Sequence, residues 1–190
     1  MSTLSKLGTW DQTLTQRIVD TDFMNYNFAG FFAKSGDFLP WLVFSLICYI
    51  FDIIFPRFEN LLQITAIAVV GLVIQILKRI IRRKRPSKEV QRKYVSKLDI
   101  WSFPSGHAGR MACSAIMIML LFPKIGWIIL IWAILVGYGR IIVKAHYFLD
   151  ILGGTIVGII GSIILYLLRD KIHLLFTPFI ELSDTFLFEF

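Results

Sequence analysis

The sequence predicts an all-α membrane protein, a polytopic helical bundle with about five spanning helices and an amphipathic helix at the membrane interface before them. Hydrophobic residues make up 56% of the 190-residue chain and the mean hydropathy is +0.70, more than a soluble domain of this size usually carries. Several apolar stretches also approach the roughly 20 residues that a helix needs to cross about 30 Å of hydrocarbon. An ordinary soluble domain is therefore excluded.

The region before the first span is predicted to contain an interfacial amphipathic helix. Its apolar residues recur at helical spacing, at Leu7, Trp10, Leu14 and Ile18. A second short helix is predicted around Phe28, Phe31 and Phe32, with its end at Gly36. Ordinary packing of both segments against the bundle is the alternative. No cleavable signal peptide is predicted, so the first span is expected to act as the insertion signal.

The five predicted spans follow one another with short connections, apart from a long loop between the second and the third. They cover residues 38–55, 61–81, 107–122, 125–143 and 147–168. The third span is short and begins with His107 and Arg110, so its first turn is expected to lie in a polar cavity rather than in lipid. We interpret residues 1–190 as a single domain with an interfacial amino-terminal segment (1–37), a transmembrane bundle (38–168) and an interfacial carboxy-terminal tail (169–190).

Polar residues occur in three motifs within this apolar chain. The motifs are Lys78-x6-Arg85-Pro86, then Phe103-Pro104-Ser105-Gly106-His107, then Arg140-x5-His146-x3-Asp150. Consecutive spans must alternate in direction across the membrane, which puts the second span's end, the third span's start, the fourth span's end and the fifth span's start at one face. We therefore expect the charged and histidine residues of the three motifs to form one site.

The residue types in these motifs suit phosphoryl chemistry. Lys78, Arg85 and Arg140 can surround a phosphoryl group and offset the charge on its oxygens. Of the two histidines, one can attack phosphorus while the other protonates the leaving oxygen. Asp150 follows His146 by four residues, so on a helix its carboxylate would face the imidazole and fix its tautomer.

The Ser105-Gly106 pair adds a candidate phosphate-binding turn. Glycine lets the backbone approach a ligand closely, and the start of the following helix presents unpaired N–H groups that can hold phosphate oxygens. Pro104 suits the position just before this turn, and Pro86 is expected to stop the helix that carries Lys78. No metal-ligand spacing is present, and neither a metal nor another cofactor is expected.

Together the motifs resemble those of the type 2 phosphatidic acid phosphatase superfamily, which are Lys-x6-Arg-Pro, Pro-Ser-Gly-His and Ser-Arg-x5-His-x3-Asp. The resemblance covers residues 78–150, with one departure: Gly139 replaces the usual serine, which removes one hydroxyl. It implies that His146 is the nucleophile of a phosphohistidine intermediate, with Asp150 as its partner and His107 as the general acid. The implied phosphate-binding residues are Lys78, Arg85, Ser105, Gly106 and Arg140, and the implied chemistry needs no metal.

The stretch from Trp101 to Arg110 most resembles the polyisoprenoid diphosphate phosphatase branch of that superfamily. That branch implies a farnesyl, geranylgeranyl, presqualene or polyprenyl diphosphate or monophosphate as the substrate. The alternatives are a glycerolipid phosphatase acting on phosphatidic acid or phosphatidylglycerophosphate, a lipid A phosphatase, and an inactive lipid-binding membrane protein. A haloperoxidase is disfavoured because those relatives are soluble.

A basic cluster surrounds the long loop and accounts for most of the net charge of +7. Its members are Arg79, Arg82, Arg83, Lys84, Lys88, Arg92, Lys93 and Lys97. By the positive-inside rule the face with the three motifs is cytoplasmic, in the endoplasmic reticulum of a eukaryote or otherwise in a bacterial or archaeal plasma membrane. The cluster suits anionic headgroups or recruitment of a polyanionic substrate, and no nucleic-acid partner is expected. The sequence leaves a homo-oligomer open and assigns no role to Asp52.

Overall fold

The computed structural model describes residues 3–21, 23–51, 54–87 and 99–188, and the regular structure within these residues is helical throughout. The helices are α1 (Thr3–Asp20), α2 (Tyr26–Ser35), α3 (Phe38–Phe51), α4 (Arg57–Ile81), α5 (Gly106–Leu121), α6 (Pro123–Ile142), α7 (Phe148–Leu167) and α8 (Arg169–Phe188). The predicted all-α bundle is therefore confirmed. Asp52 and the basic residues Lys88, Arg92, Lys93 and Lys97 lie outside the described residues.

Each of the five predicted spans is a helix, with ends within four residues of those expected. Among the described residues, α4, α6 and α7 are each long and apolar enough to cross a membrane, with mean hydropathies of 2.1, 2.0 and 2.2. A fourth crossing results if α2 and α3, which meet at a bend of 54°, form one broken span. The 16-residue α5 is apolar but shorter. The number of crossings is thus lower by this criterion than the five expected.

Helix α5 lies at the centre of the bundle and packs against α4, α6 and α7. Its contact with α7 is close because glycines remove the side chains between them. A Cβ on Gly154 would overlap the carbonyl oxygen of Ser105, and a Cβ on Gly158 would overlap the carbonyl oxygen of Gly109. This backbone approach fixes the start of α5 beside the start of α7, where two of the three motifs lie.

Local sequence explains why the helices that carry the motifs begin and end where they do. Helix α4 ends at Arg82, whose backbone is left-handed with φ of 53°, four residues before Pro86. The side chain of Ser105 caps α5 by accepting a hydrogen bond from the Ala108 amide, at 3.4 Å. At the start of α7, the Tyr147 amide donates to the Asp150 carboxylate at 2.9 Å. The end of α4 and the starts of α5 and α7 thus bring residues of all three motifs to the same end of the bundle.

Helix α1 is amphipathic, as predicted, but its buried side includes polar residues. Asp11 is fully buried and Thr15 nearly so, whereas Leu7 and Trp10 are each 50% exposed. The Asp11 carboxylate accepts a hydrogen bond from the Leu149 amide at 3.0 Å, and the Thr15 hydroxyl accepts one from the Phe148 amide at the same distance. The two side chains therefore satisfy free N–H groups at the start of α7, while Leu7 and Trp10 remain exposed.

Residues 169–190, predicted as an interfacial tail, include the 20-residue helix α8. It packs along α4 and α7, and the His173 ring contacts Phe58 with 4.4 Å between ring centroids. Leu174, Leu175 and Phe179 are each at least 68% exposed. Pro178 lies inside the helix. The proline and the mixed polarity of this segment hid the helix from sequence analysis.

Candidate active site

His146 lies fully buried in the short connection between α6 and α7. Its Nε2 atom is 3.0 Å from Nη1 of Arg85, and its Nδ1 atom is 3.5 Å from Oδ2 of Asp150. Because an arginine guanidinium can only donate, Nε2 accepts this hydrogen bond and the ring proton is assigned to Nδ1, facing the carboxylate. The imidazole is therefore held with a lone pair on Nε2.

Burial lowers the pKa of His146 well below its ordinary value, and the positive charges of Arg85, Arg140 and Lys78 lower it further. All four effects disfavour the imidazolium form. His146 is thus neutral at physiological pH, which is the protonation state a nucleophilic imidazole requires.

Asp150 is held in place by hydrogen bonds from two sides. Nη1 of Arg83 donates to its Oδ1 atom at 2.8 Å, and the Tyr147 amide donates to its Oδ2 atom. Nη2 of the same Arg83 donates to Asp11 at 2.5 Å, and its guanidinium lies 4.2 Å from the centre of the Tyr147 ring. The three residues Asp11, Arg83 and Asp150 therefore form a continuous chain from α1 to the site.

Lys78 and Arg85, the two cations of the first motif, meet at Asp99. Lys78 donates to the Asp99 carboxylate, and Nη2 of Arg85 lies 3.1 Å from its second oxygen. Burial acts to raise the pKa of Asp99, but the charges of Lys78 and Arg85 outweigh it and the pKa falls below the ordinary value. Asp99 is therefore ionised and occupies, in the ligand-free protein, cations that could hold a phosphate.

Arg85 is also fixed by backbone groups. Its guanidinium donates to the carbonyl oxygens of Ala145 at 2.9 Å and of Asp99 and Trp101 at 3.0 Å each. These contacts link the loop after α4 to the connection that carries His146. Arg85 thereby positions the imidazole as well as contributing charge.

His107, in the first turn of α5, pairs with Asp37 from the bend between α2 and α3. Nε2 of His107 and Oδ1 of Asp37 are 2.7 Å apart. Gly36 lets this bend sit directly on the histidine, since a Cβ there would lie 3.2 Å from Cδ2 of His107. A carboxylate in this position favours the protonated imidazole, the form that can give a proton to a leaving group, whereas burial and the charge of Arg140 disfavour that form.

Arg140 is completely buried near the end of α6. Its Nη1 atom donates to the carbonyl oxygen of Ala33 in α2 at 3.3 Å. Its charge acts on both His107 and His146, so Arg140 lies close to both histidines. Gly139, where the resembling family has serine, packs on the backbone of α2: a Cβ there would lie 2.7 Å from the carbonyl oxygen of Ala29.

The Ser105-Gly106 turn is buried at the start of α5, beside α7. The Ser105 amide donates to the carbonyl oxygen of Asp150 at 2.8 Å, which ties the second motif to the third. The structure thus brings the eight predicted site residues to one end of the bundle: His146, His107, Asp150, Lys78, Arg85, Ser105, Gly106 and Arg140.

Four residues of this region were not assigned to the site by sequence analysis: Asp11, Asp37, Arg83 and Asp99. Three of them are acids that pair with cations or histidines of the site. Arg83 was interpreted only as part of the basic cluster, although it joins two buried carboxylates. A lone acid beside an apolar stretch was the available signal, since a charge there usually has a partner.

An apolar cavity of about 310 Å³ opens between α5, α6 and α7. Ala108, Ile141 and Ile151, which line it, directly follow His107, Arg140 and Asp150 in the sequence. Ile18 of α1 closes one side. A groove with this lining suits a hydrocarbon tail whose polar end reaches the site.

Asp11→Ala is expected to lower kcat roughly 10-fold to 100-fold with little change in KM. The substitution leaves the Arg83 guanidinium, which also holds Asp150, without one charged partner, and a charge-assisted hydrogen bond contributes about 1.5–3 kcal/mol. Steady-state kinetics in detergent would test this. The matched control is Asp20→Ala, since Asp20 is an exposed acid of the same helix. Equal kinetics for the two variants would show that α1 does not position Asp150.

Comparison with known protein families gives one match, in which a model described as the PAP2 superfamily aligns with residues 60–173. Among curated proteins, the chain is 29% identical over 133 residues to an undecaprenyl-diphosphatase of Sulfolobus acidocaldarius, covering 67% of this chain and 63% of that one. It is 36% identical over 81 residues to the undecaprenyl-diphosphatase BcrC of Bacillus subtilis, covering 43% of this chain and 40% of that one. The chain thus spans less than two thirds of the length of either relative.

Two solved structures share the fold. One is a transmembrane PAP2 type phosphatidylglycerolphosphate phosphatase from Bacillus subtilis, with a TM-score of 0.72, 22% identity and 88% of each chain covered. The other is LpxE from Aquifex aeolicus, with a TM-score of 0.65, 24% identity and coverage of 82% of this chain and 93% of that one. At these identities the likeness concerns the arrangement of helices.

Proposed function

The chain belongs to the PAP2 superfamily, and from this premise we propose that it is an integral membrane phosphatase that hydrolyses an isoprenoid diphosphate. The observation that carries the proposal is the setting of His146. Its Nε2 lone pair faces the Arg85 guanidinium, and its protonated Nδ1 faces Asp150. A neutral imidazole oriented by an acid and surrounded by cations suits attack on a phosphoryl group.

In the proposed reaction, Lys78, Arg85 and Arg140 bind the oxygens of the terminal phosphoryl group, together with the Ser105 hydroxyl and the Gly106 amide. Nε2 of His146 attacks phosphorus, a P–N bond forms and the bond to the bridging oxygen breaks. The electron pair of that bond goes to the bridging oxygen, which takes a proton from His107. Asp150 stabilises the charge that develops on the His146 ring.

The second half of the reaction restores the enzyme. His107, now neutral, takes a proton from a water molecule, and the water oxygen attacks the phosphorus of phosphohistidine. The P–N bond breaks, inorganic phosphate is released and His146 regains its lone pair. The overall change is hydrolysis of one phosphoanhydride bond, and the side chains of one chain suffice for every proton transfer.

An isoprenoid tail is supported by the apolar cavity between α5, α6 and α7, whose lining residues Ala108 and Ile151 directly follow His107 and Asp150 in the sequence. The undecaprenyl-diphosphatase names of two relatives support the same class of substrate. A glycerolipid is the second candidate, because a phosphatidylglycerolphosphate phosphatase shares the fold. At 22% identity that likeness does not extend to substrate choice.

We further propose that the active face is cytoplasmic, since Arg79, Arg82 and Lys84 are exposed beside it. Labelling of a Lys84→Cys variant in intact cells with a membrane-impermeant thiol reagent tests this orientation. The natural Cys48 and Cys113 are buried, so labelling of the wild type gives the background signal. Protection from the reagent is expected, and rapid labelling would reverse the assignment.

The function is tested by phosphate release from purified protein in detergent with EDTA present. The substrates are farnesyl diphosphate, undecaprenyl diphosphate, phosphatidic acid and phosphatidylglycerophosphate. We expect release to be fastest from an isoprenoid diphosphate and unaffected by EDTA, because the proposed steps use side chains alone. A preference for a glycerolipid would transfer the assignment to the second candidate. Binding of these lipids without turnover would identify an inactive lipid-binding protein.

A further inference from the structure

We infer that Arg110 is a specificity-determining residue that binds the lipid-proximal phosphate of a diphosphate and so favours diphosphates over monophosphates. The inference rests on the proposed function and adds a fourth cation to the site. Arg110 belongs to none of the three motifs, and no role was assigned to it in the reaction above.

Arg110 lies on α5 one turn beyond His107, so the two side chains share a face of the helix. Its Nη1 atom is 3.2 Å from the position that a Cβ on Gly106 would occupy, so the guanidinium covers the start of the helix. The Cα atom of Arg110 lies about 4.5 Å further along α5 than that of His107, at 1.5 Å per residue, and the side chain reaches back over this distance to the first turn. The side chain is half-buried.

The guanidinium has hydrogen-bonding capacity left over among the described residues. Its Nε atom is shielded from solvent and has no hydrogen-bond partner there. Nη2 donates to the carbonyl oxygen of Gly36 at 3.5 Å, the long limit for such a bond. A guanidinium carries five N–H donors, and a buried charge is costly unless those donors are satisfied. An anion bound in the cleft would satisfy them.

Two carboxylates balance the charge of Arg110 in the ligand-free protein, Asp37 from the bend and Asp99 from the loop. The same two acids pair with His107, Lys78 and Arg85. Arg110 therefore shares its two balancing acids with the cations that bind the terminal phosphoryl group and with the proposed general acid. This position is within the site rather than outside it.

The direction of the reaction assigns the lipid-proximal phosphate to Arg110. In phosphoryl transfer the attacking and leaving oxygens are roughly in line through phosphorus, so the leaving group lies on the side opposite His146. His107 marks that side, because it protonates the leaving oxygen. With a diphosphate the leaving group is itself a phosphate ester, and Arg110, on the same face of α5 as His107, meets it. A monophosphate substrate has no group at this position.

The test compares the wild type with Arg110→Gln and Arg110→Lys on farnesyl diphosphate and farnesyl monophosphate. Arg110→Gln should lower kcat/KM for the diphosphate about 10-fold to 100-fold and that for the monophosphate less than about 3-fold, on the scale of one lost charge-assisted contact. Arg110→Lys keeps the charge but loses the planar, two-pronged guanidinium, so a smaller loss in the same direction is expected. Lys124→Gln, which removes an exposed cation at the end of α6 opposite Arg140, is the matched control and should leave both rates unchanged.

Monophosphate turnover reports on folding in each variant, and Arg110→Lys provides the comparison if Arg110→Gln fails to fold. Equal losses on both substrates, or none on either, would overturn the inference and assign Arg110 a structural role beside Asp37. If the wild type hydrolyses neither substrate, the proposed function fails separately. The affinities of the wild type and the Arg110 variants for a farnesyl methylenediphosphonate and a farnesyl phosphonate then test the role of Arg110. The variants are expected to lose affinity for the diphosphonate alone, and equal changes in affinity for both analogues would contradict the inference.

Discussion

Replacement of His146 by alanine is expected to reduce phosphate release about 10⁴-fold or more, because it removes the proposed nucleophile. The imidazole is fully buried and lies between Arg85 and Asp150. The Arg85 guanidinium is not a nucleophile, and both oxygens of the Asp150 carboxylate are engaged by hydrogen bonds from Arg83 and the Tyr147 amide. Initial rates with an isoprenoid diphosphate measure the loss, and thermal unfolding in detergent establishes that the variant is folded.

His173→Ala is the matched control for this substitution. His173 lies on α8, where it is exposed and packs against Phe58 rather than against a site residue. It should retain full activity. Quenching wild-type turnover of a substrate labelled in its terminal phosphate should trap acid-labile, base-stable label on the protein, and the His146→Ala variant should carry none. Label retained by that variant would place the nucleophile elsewhere.

Gly154→Ala is the second substitution with a large expected effect, on stability as well as activity. A methyl group there would overlap the carbonyl oxygen of Ser105, and backbone atoms cannot yield as a side chain can. Overpacking of this kind costs about 1–3 kcal/mol. The Ser105 amide also donates a hydrogen bond to the carbonyl oxygen of Asp150, so displacement of Ser105 would separate the second motif from the third. A lower midpoint of thermal unfolding and loss of turnover are both expected.

Gly8→Ala gives the comparison for the same chemical change. A Cβ on Gly8 has no neighbour within 4 Å, and alanine in a helix is about 1 kcal/mol more favourable than glycine. This variant should be as stable as the wild type, or more so, and fully active. Comparable stability of Gly154→Ala would mean that α5 and α7 can move apart without cost.

The bundle and its site were predictable from sequence for a simple reason. Spans must alternate in direction, so the residues at their ends fall on alternate faces, and this alone placed Lys78, His107, Arg140 and His146 together. The four-residue spacing of His146 and Asp150 also predicted their contact. Apolar stretches of about 20 residues predicted the spanning helices, because a helix satisfies its own backbone hydrogen bonds in lipid.

The partners that lie far apart in sequence were not predictable in this way. Asp37 reaches His107 because two helices meet at a bend, and no local pattern specifies that angle. Asp99 occupies a loop whose path depends on Lys78 and Arg85. The amphipathic pattern of α1 predicted a helix correctly. Periodicity does not show, however, that the polar Asp11 is buried, because its burial depends on a free backbone N–H group at the start of α7 that donates to it.

The contact between Asp11 and the start of α7 has a consequence for the order of biosynthesis. The two partners are 138 positions apart, so α1 leaves the ribosome long before the segment that receives it. In the interval its exposed Leu7 and Trp10 can hold it on the bilayer surface. Docking of α1 completes the chain of charges through Arg83 to Asp150 only once α7 has been inserted. Until then Asp150 lacks part of its support, so the proposed site is complete only when the bundle is nearly whole.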